Sequence, residues 1–209
     1  MKVGLEQYKK YHADKDYTSI GLFKKLNEIY KTYKVLYPGS HVHITPSLIF
    51  PDVTYVDSFR NTAKFYEAED VKEFISKHKE YDNEAKIKFY QQDYNKDLPE
   101  SETQFDLVIS QYAGFVGQAT KKYLKQNGLL VCNNSHGDAS MAFLDPDYEL
   151  VAVYNRKCDE NFTISGKSLD QYFIPKKGEH PTKETIIKSM KGVGYTKSPS
   201  GYIFRKKSK

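Results

Sequence analysis

Residues 34–58 read KVLYPGSHVHITPSLIFPDVTYVDS. This stretch predicts a short apolar strand at Val35–Tyr37, a tight turn at Pro38–Ser40, and then an irregular or helical crossover. A second apolar strand, Val53–Val56, follows and ends on Asp57. A strand, a glycine turn, a crossover and a strand that ends in an acid is the arrangement by which open α/β sheets hold the adenosine half of a cofactor.

Two residues of this stretch carry that prediction, Gly39 and Asp57. Glycine has no Cβ, so the backbone of the turn can come close to a ligand. Asp57 follows Gly39 by 18 residues, and such folds place the carboxylate that accepts the ribose hydroxyls about 20 residues after the glycine. Asp57 could instead be a strand-end acid that caps the next helix near Arg60. Its position favours the ribose-binding role.

The composition is that of a globular protein. The chain has 209 residues, of which 39% are hydrophobic and 14% are aromatic, enough for one well-buried core. No apolar run approaches the roughly 18 residues that a membrane span requires, and the N-terminal stretch lacks the apolar region of a secretory signal. Cys132 and Cys158 have no metal-ligand spacing and are expected to be reduced thiols of a cytoplasmic protein.

The net charge of +5 is compatible with a polyanionic partner such as RNA or DNA. Lysine is nevertheless spread over nearly every segment, together with Asp and Glu. A solvated, lysine-rich surface is therefore the favoured explanation.

Strands and helices alternate from residue 18 to residue 154, which predicts an α/β sheet with right-handed crossovers. The strands predicted after the first two are Lys86–Gln91, Phe105–Ser110, Leu129–Asn133, Tyr148–Tyr154, Phe162–Ile164 and Gly201–Arg205. The predicted helices are Thr18–Tyr30, Arg60–His78 in one or two pieces, Gly114–Gln126, Asp138–Leu144 and Lys183–Lys191.

Helix ends and domain limits complete this outline. Thr18 or Ser19 is expected to cap the first helix with its side chain, and Asn127-Gly128 is expected to end the third. Residues 1–17 are predicted to be a leading arm and residues 155–199 an irregular late segment. No linker divides the chain, so a single domain over residues 1–209 is expected.

The order of these features resembles that of the class I S-adenosylmethionine-dependent methyltransferases. The resemblance covers roughly residues 18–206. It implies a Rossmann-like three-layer α/β sandwich, whose seven-stranded, mostly parallel sheet has one antiparallel strand near the C-terminus. It also implies that the cofactor is S-adenosylmethionine and that its methyl group is moved to an acceptor, a small molecule or a nucleic acid.

The resemblance assigns roles to individual residues of this sequence. It places the glycine turn at Tyr37, Pro38, Gly39 and Ser40, and the ribose-binding acid at Asp57, next to Ser58. The acid near the adenine amine corresponds to Asp93, with Gln92 and Tyr94 beside it. The segment that faces methionine and often substrate corresponds to Ser110, Gln111 and Tyr112. The run Leu124–Leu130 resembles the family's motif of leucine, lysine and glycine that leads into the fifth strand.

One motif departs from the family pattern of an acid followed by G-x-G-x-G. Here Gly39 is the one glycine of the turn, and the aromatic Tyr37 stands in the acid's place. The two acids that the family pattern places near adenosine, Asp57 and Asp93, are both present. Asp93 is equally well explained as a turn residue. The alternative function is therefore a catalytically inactive Rossmann-like binding or regulatory protein. An NAD-binding enzyme is disfavoured because G-x-G-x-x-G is absent after the first strand.

The turn from Asn133 to Asp138 is the most polar group that follows a predicted buried strand. His136 could take a proton from a substrate oxygen or nitrogen, with Asp138 orienting it. The competing explanation is that these are turn and N-cap residues of the following helix. His41 and His43 share a side if their segment is extended, but they lack a nearby third ligand, so no metal site is predicted.

Overall fold

The computed structural model describes residues 4–208 of the chain. The chain forms two compact units, of which the first comprises Met1–Leu98 with Arg156–Phe162 and the second Pro99–Asn155 with Thr163–Lys209. Residues 1–3 of the predicted N-terminal arm lie outside the described part. The single domain expected over residues 1–209 stays a prediction.

The first unit contains three parallel strands, β1 (Lys34–Pro38), β2 (Asp52–Val56) and β3 (Lys86–Tyr90), with β2 in the middle. The register pairs Pro38 with Val56 and Val56 with Tyr90, so the three strands end level with one another. The residues that follow them therefore leave from the same edge, which is where open α/β sheets bind ligands.

Five helices accompany these strands: α1 (Leu5–Tyr11), α2 (Ile20–Tyr30), α3 (Pro46–Ile49), α4 (Thr62–Glu67) and α5 (Glu69–His78). The two-piece form of the helix predicted near residues 60–78 is thus the observed one. The core side chains include Leu22, Leu26, Leu36, Phe50 and Phe65, all fully buried. The apolar spacing of Leu22 and Leu26 makes them one face of α2, which explains why this helix was recognisable.

The start of α2 was predicted correctly, but the group that caps it was not. Ser19 occupies the N-cap position with a φ of 57°, and its side chain makes no capping hydrogen bond. Asp159 instead accepts hydrogen bonds from the backbone N–H of Thr18 at 2.8 Å and of Ser19 at 2.7 Å. A carboxylate from a distant part of the chain therefore satisfies the helix N-terminus.

The second unit contains β4 (Phe105–Ser110), β5 (Leu124–Cys132), most of β6 (Tyr148–Cys158) and β8 (Gly201–Lys206). β4 and β5 are parallel, whereas β8 is antiparallel to both β5 and β6. A further strand, β7 (Asn161–Ser165), occurs where the short strand Phe162–Ile164 was predicted. The predicted Rossmann-like α/β class is confirmed, with eight strands rather than seven.

The helix predicted for Gly114–Gln126 is wrong over its second half. The structure has a short α6 (Val116–Ala119) and a 3-10 turn, and β5 already begins at Leu124. Leu124 pairs with Phe105, whereas the next pair joins Leu129 to Leu107, so the intervening residues form a bulge. Asn127 adopts a φ of 61° within this bulge, where a helix C-cap was expected. Pairing with β4 outweighs the local helical pattern.

The remaining helices of the second unit are α7 (Asp138–Phe143) and α8 (Lys183–Ser189), within two residues of their predicted limits. Thr182 caps α8, because its side chain accepts a hydrogen bond from the backbone N–H of Thr185. The large side chains of the core in this unit are Phe105, Tyr123, Phe173, Tyr195 and Phe204.

Candidate functional site

The turn after β1 is built around Gly39. Its φ of 68° is favourable for glycine and strained for other residues. Its backbone N–H donates a 2.7 Å hydrogen bond to the carbonyl of Val56, at the end of β2. The side chain of Ser40 is buried and accepts a hydrogen bond from the Tyr66 hydroxyl at 3.1 Å. The backbone N–H of Gly39 is thus bonded to the end of β2, and the Ser40 hydroxyl is bound to Tyr66.

Tyr37 and Pro38 are both buried, and the Tyr37 side chain forms a polar contact with His43 inside the first unit. Its hydroxyl is 2.9 Å from Nδ1 of His43, and Nε2 of His43 is 2.8 Å from the carbonyl of Thr18. A carbonyl can only accept, so Nε2 carries the proton and Nδ1 accepts from Tyr37. Burial, followed by the neighbouring His12, lowers the pKa of His43 to about 3.

These contacts also occupy both ring nitrogens of His43. His41 lies against the rings of Tyr11 and Phe59 rather than beside His43. Within residues 4–208, no group of three or more His, Cys, Asp or Glu residues is arranged to hold a metal ion.

Asp57 lies directly after β2 and is half-buried. Its Oδ2 accepts the backbone N–H of His41 at 2.7 Å, and its Oδ1 accepts that of Phe59 at 2.7 Å. The carboxylate therefore joins the glycine turn to the segment after β2. A carboxylate has about four lone-pair sites, so about two remain for further donors. Ser58, next to it, is exposed.

The three residues predicted near adenine follow β3. Oδ1 of Asp93 accepts both the backbone N–H and the side-chain amide of Asn95 at 2.9 Å, which is a local turn. The Gln92 amide donates to the carbonyl of Asp97 at 3.2 Å. Tyr94 is half-buried and Asp93 is exposed. Asp93 thus acts as a turn residue in the structure, and its role toward adenine stays a prediction.

The second unit contains the segment after β4. Ser110 is buried and its hydroxyl donates to Oδ2 of Asp138 at 2.5 Å. Gln111 is half-buried, and Tyr112 is 56% exposed with a φ of 62°. A positive φ is uncommon for a bulky residue, and such strain is concentrated at ligand-binding sites.

Asp138 is fully enclosed at the start of α7. Besides the Ser110 hydroxyl, it accepts the backbone N–H of Gly117, with N···O distances of 3.0 and 3.1 Å. A Cβ on Gly117 would lie 2.5 Å from the Leu130 side chain, so the amide approaches the carboxylate only because residue 117 is glycine. Burial raises the pKa of Asp138 to about 7, against the opposing effect of these hydrogen bonds.

The structure does not bring His136 and Asp138 together as a hydrogen-bonded pair. Nδ1 of His136 is 3.0 Å from Oγ of Ser135, whose own proton is directed to Oδ1 of Asn133 at 2.7 Å. Nδ1 of His136 is therefore the donor in this contact, which leaves Nε2 as the basic nitrogen. The orienting partner of His136 is Ser135, whereas Asp138 connects three elements of the fold. Catalytic roles for either residue stay predictions.

A cavity of about 540 Å³ lies at the ends of β4 and β5 in the second unit. Its lining combines amide, hydroxyl and lysine side chains and contains no acidic residue. The lining residues are Tyr112, Asn133, Asn134, Ser135, Lys191, Gly192, Val193, Ser198, Pro199, Ser200 and Tyr202.

A larger groove of about 830 Å³ lies in the first unit between α4, α5 and β3. It is lined by apolar groups such as Ile75, Ile87 and Phe89, with Lys72 and Lys79 also in its wall. None of the residues predicted to hold a cofactor lines this groove. It is separate from the turn at Gly39 and from Asp57.

Sequence reasoning missed Tyr202, Lys191 and Gly117. Tyr202 belongs to β8 and pairs with Cys132 of β5 in antiparallel register, which brings it beside the polar turn after β5. The pairing of the last strand with the fifth is the only signal that could have placed it there. Gly117 could have been noticed as a glycine within a predicted helix.

No model of a protein family matches this sequence, and no curated protein matches it. Among solved structures, the chain is similar to a methyltransferase from Geobacter sulfurreducens, with 11% identity, a TM-score of 0.49, and coverage of 77% of this chain and 86% of that one. A protein from Methanococcus maripaludis, assigned as an S-adenosyl-L-methionine-dependent methyltransferase, has 12% identity, a TM-score of 0.49 and coverage of 98% and 91%.

A third similar structure is a geranyl diphosphate methyltransferase in complex with S-adenosylmethionine, with 13% identity and a TM-score of 0.43. This match covers 56% of the present chain and 48% of that chain. At 11 to 13% identity, these similarities transfer no residue role.

The helices of the described part are all too short or too polar to cross a membrane.

Proposed function

We propose that this protein binds S-adenosylmethionine and transfers its methyl group to an acceptor, a small molecule or a nucleic acid. The observation that carries the proposal is the contact between Asp57 and the glycine turn. Its carboxylate lies at the end of β2, accepts the N–H of His41 at 2.7 Å, and keeps lone pairs for two further donors.

The residues of the first unit fit the adenosine half of this cofactor. Asp57 would accept the ribose hydroxyls, and the backbone at Gly39 would allow the close approach of the ligand. One carboxylate oxygen of Asp93 is engaged by Asn95, so its other oxygen would be the acceptor for the adenine amine. When bound, the cofactor supplies an activated methyl group on its sulfonium sulfur.

The chain's own contribution to such a transfer would be to bind and align the acceptor, because methyl transfer depends mainly on the alignment of a nucleophile. In the second unit, Nε2 of His136 would be the nitrogen that takes a proton, since Nδ1 is bound to Ser135. Both cysteines are free thiols, which is consistent with the cytoplasmic location that we propose.

The alternative is a Rossmann-like protein that binds the cofactor, or a related nucleoside, without transferring a methyl group. A specific observation favours it: the turn after β1 has a single glycine, and its Ser40 hydroxyl is bound by Tyr66. The Ser40 hydroxyl is therefore not free to bind the methionine part of the cofactor.

Calorimetry with S-adenosylmethionine, its demethylated product and NAD tests the proposal. We expect the first two to bind and NAD not to bind. Asp57→Asn keeps the size of the side chain and should weaken binding about tenfold or more, because the remaining group has lost its charge. Asp52→Ala is the matched control, since Asp52 is the first residue of the same strand, β2.

A second measurement distinguishes the enzyme from the alternative. Protein, labelled S-adenosylmethionine and fractions of a cell extract are incubated together, and transfer of label to any acceptor supports the methyltransferase. Binding without transfer to any fraction favours the regulatory protein. If neither S-adenosylmethionine nor its product binds, the proposal is wrong.

A further inference from the structure

The cavity of the second unit has the size of a small-molecule site. Its volume of about 540 Å³ lies within the range of about 300–1,000 Å³ that is typical of ligand pockets. Tyr112 and Asn133 bring the ends of β4 and β5 to its wall, Lys191 follows α8, and Tyr202 belongs to β8. Four separate segments of the unit thus converge on one space.

Tyr202 contributes an unpartnered hydroxyl to this wall. Its side chain is 2% exposed, and its hydroxyl makes no hydrogen bond to any residue between 4 and 208. Burial raises its pKa well above the ordinary value, so the phenol stays neutral and can donate a proton. Tyr195 is equally buried, but its hydroxyl is bound to Oγ of Ser140 at 2.8 Å. The structure therefore satisfies one of these two tyrosines and leaves the other free.

Asn133 provides a second unpartnered donor. Its Oδ1 accepts the backbone N–H of Ser135 at 3.0 Å and the Ser135 hydroxyl at 2.7 Å, which fixes the orientation of the amide. The opposite atom, Nδ2, is buried and lacks a hydrogen-bond partner in the described part of the chain. Buried polar groups are nearly always hydrogen-bonded, so the unpartnered amide of Asn133 beside the Tyr202 hydroxyl makes this part of the lining suited to a hydrogen-bond acceptor.

The charge of the lining selects the kind of ligand. Lys191 adds a cation, and the lining includes no Asp or Glu. Donors and a positive charge, without an acidic neighbour, are complementary to an anionic oxygen. The exposed ring of Tyr112 provides a flat apolar surface at the same cavity.

We propose that this cavity binds a small, planar organic anion. Its carboxylate or phosphate oxygen accepts hydrogen bonds from the Tyr202 hydroxyl and from Nδ2 of Asn133, and Lys191 balances its charge. The binding itself does not depend on S-adenosylmethionine. That this anion is the methyl acceptor rests on the proposed function.

Binding of benzoate to the full chain, without any cofactor, tests the inference by NMR. Benzamide is the neutral molecule of the same shape, and phenyl phosphate is the second anion. For a ligand of this size we expect a Kd of about 1 mM, with movement of the side-chain amide signals of Asn133. Benzamide should bind at least about tenfold more weakly, because it lacks the charge.

Two tyrosine variants separate recognition from structure. Tyr202→Phe should weaken benzoate about tenfold, whereas Tyr195→Phe removes a hydroxyl that bonds within the protein and should leave binding unchanged. Tighter binding of phenyl phosphate than of benzoate also supports the site and assigns it to phosphates. Equal binding of benzamide, unchanged binding to Tyr202→Phe, or no shift at Asn133 with either anion would overturn the inference. Failure to bind S-adenosylmethionine would leave these results untouched.

Discussion

The Ser110 hydroxyl donates a 2.5 Å hydrogen bond to the Asp138 carboxylate, which joins the end of β4 to the start of α7. The backbone N–H of Gly117 donates to the same carboxylate and adds the start of α6. One acidic side chain therefore connects three elements at the edge where the candidate site of this unit lies. Because the group is buried, its pKa is raised to about 7, and this connection depends on pH.

Asp138→Asn should change how stability depends on pH. A carboxyl that binds its proton more tightly when folded stabilises the protein fully below its unfolded pKa of about 4. That stabilisation is lost as the pH rises through its folded pKa of about 7 and amounts to about 4 kcal/mol at most. Relative to the variant, the protein should therefore be about 3 kcal/mol more stable at pH 5 than at pH 8.

Urea denaturation at a series of pH values measures this difference. Asp106→Asn is the control, because Asp106 is half-buried and pairs with Lys125 at 2.6 Å. It should shift stability by about 1 kcal/mol or less at every pH. A difference between protein and Asp138→Asn that does not vary with pH would contradict the raised pKa.

Local sequence patterns predicted most elements of the fold, because their apolar spacing is determined within a few residues. The near-continuous apolar run Phe105–Ser110 gave the limits of β4 as the structure has them. The predictions that went wrong depend on distant partners. The cap of α2 comes from Asp159, which is 140 residues away from Ser19, and the first residue of β5, Leu124, is determined by its pairing with Phe105.

The candidate site shows the same division. The order of strand, turn and strand predicted a ligand site at Gly39 and Asp57; the structure shows that Asp57 accepts the backbone N–H of His41, and the ligand role of both residues stays a prediction. The position of Tyr202 was not predictable, because it requires the antiparallel pairing of the last strand with β5. The relation of His136 to Asp138 was not predictable either, since Ser110 and Gly117 compete for the same carboxylate.

His43→Gln should make the protein less sensitive to acid. The buried imidazole has a pKa of about 3, whereas the unfolded side chain titrates near 6.5. The unfolded state therefore binds more protons between these values, and stability falls as the pH falls below about 6.5. Between pH 7 and pH 4.5 this residue should account for a loss of about 2 kcal/mol, which the variant lacks.

The measurement is the unfolding free energy of protein and variant at the two pH values. His78→Gln is the control, because this histidine is exposed. The contribution of His43 has the opposite sign to that of Asp138 over this range, so the informative quantity is the difference between protein and variant at each pH. If the unfolding free energy fell equally between pH 7 and pH 4.5 in the protein and in His43→Gln, the lowered pKa of His43 would be refuted.

Asp159→Ala should destabilise the first unit by about 2–3 kcal/mol. Asp159 is 6% exposed, and its carboxylate accepts hydrogen bonds from the backbone N–H groups of Thr18 and Ser19 and from the Thr18 hydroxyl. Its removal leaves the start of α2 without a cap and these donors without a partner. Asp16→Ala is the comparison, because Asp16 forms an exposed ion pair with Arg156 and should cost about 1 kcal/mol or less. Equal losses for the two variants in urea denaturation would show that Asp159 is not the cap.

Tyr202→Phe and Tyr195→Phe should have unlike effects on stability, although each removes one hydroxyl from a tyrosine that is 2% exposed. Tyr195→Phe removes the hydrogen bond between the Tyr195 and Ser140 hydroxyls and leaves the buried Ser140 hydroxyl with one partner fewer. This should lower the unfolding free energy by about 1–2 kcal/mol. Tyr202 loses a hydroxyl that has no partner in residues 4–208, so its variant should be as stable as the protein or slightly more stable. Thermal and urea denaturation of both variants measure this contrast. A loss above about 1 kcal/mol for Tyr202→Phe would mean that the hydroxyl is used within the folded chain, and a hydroxyl that is already used cannot be the donor reserved for a ligand.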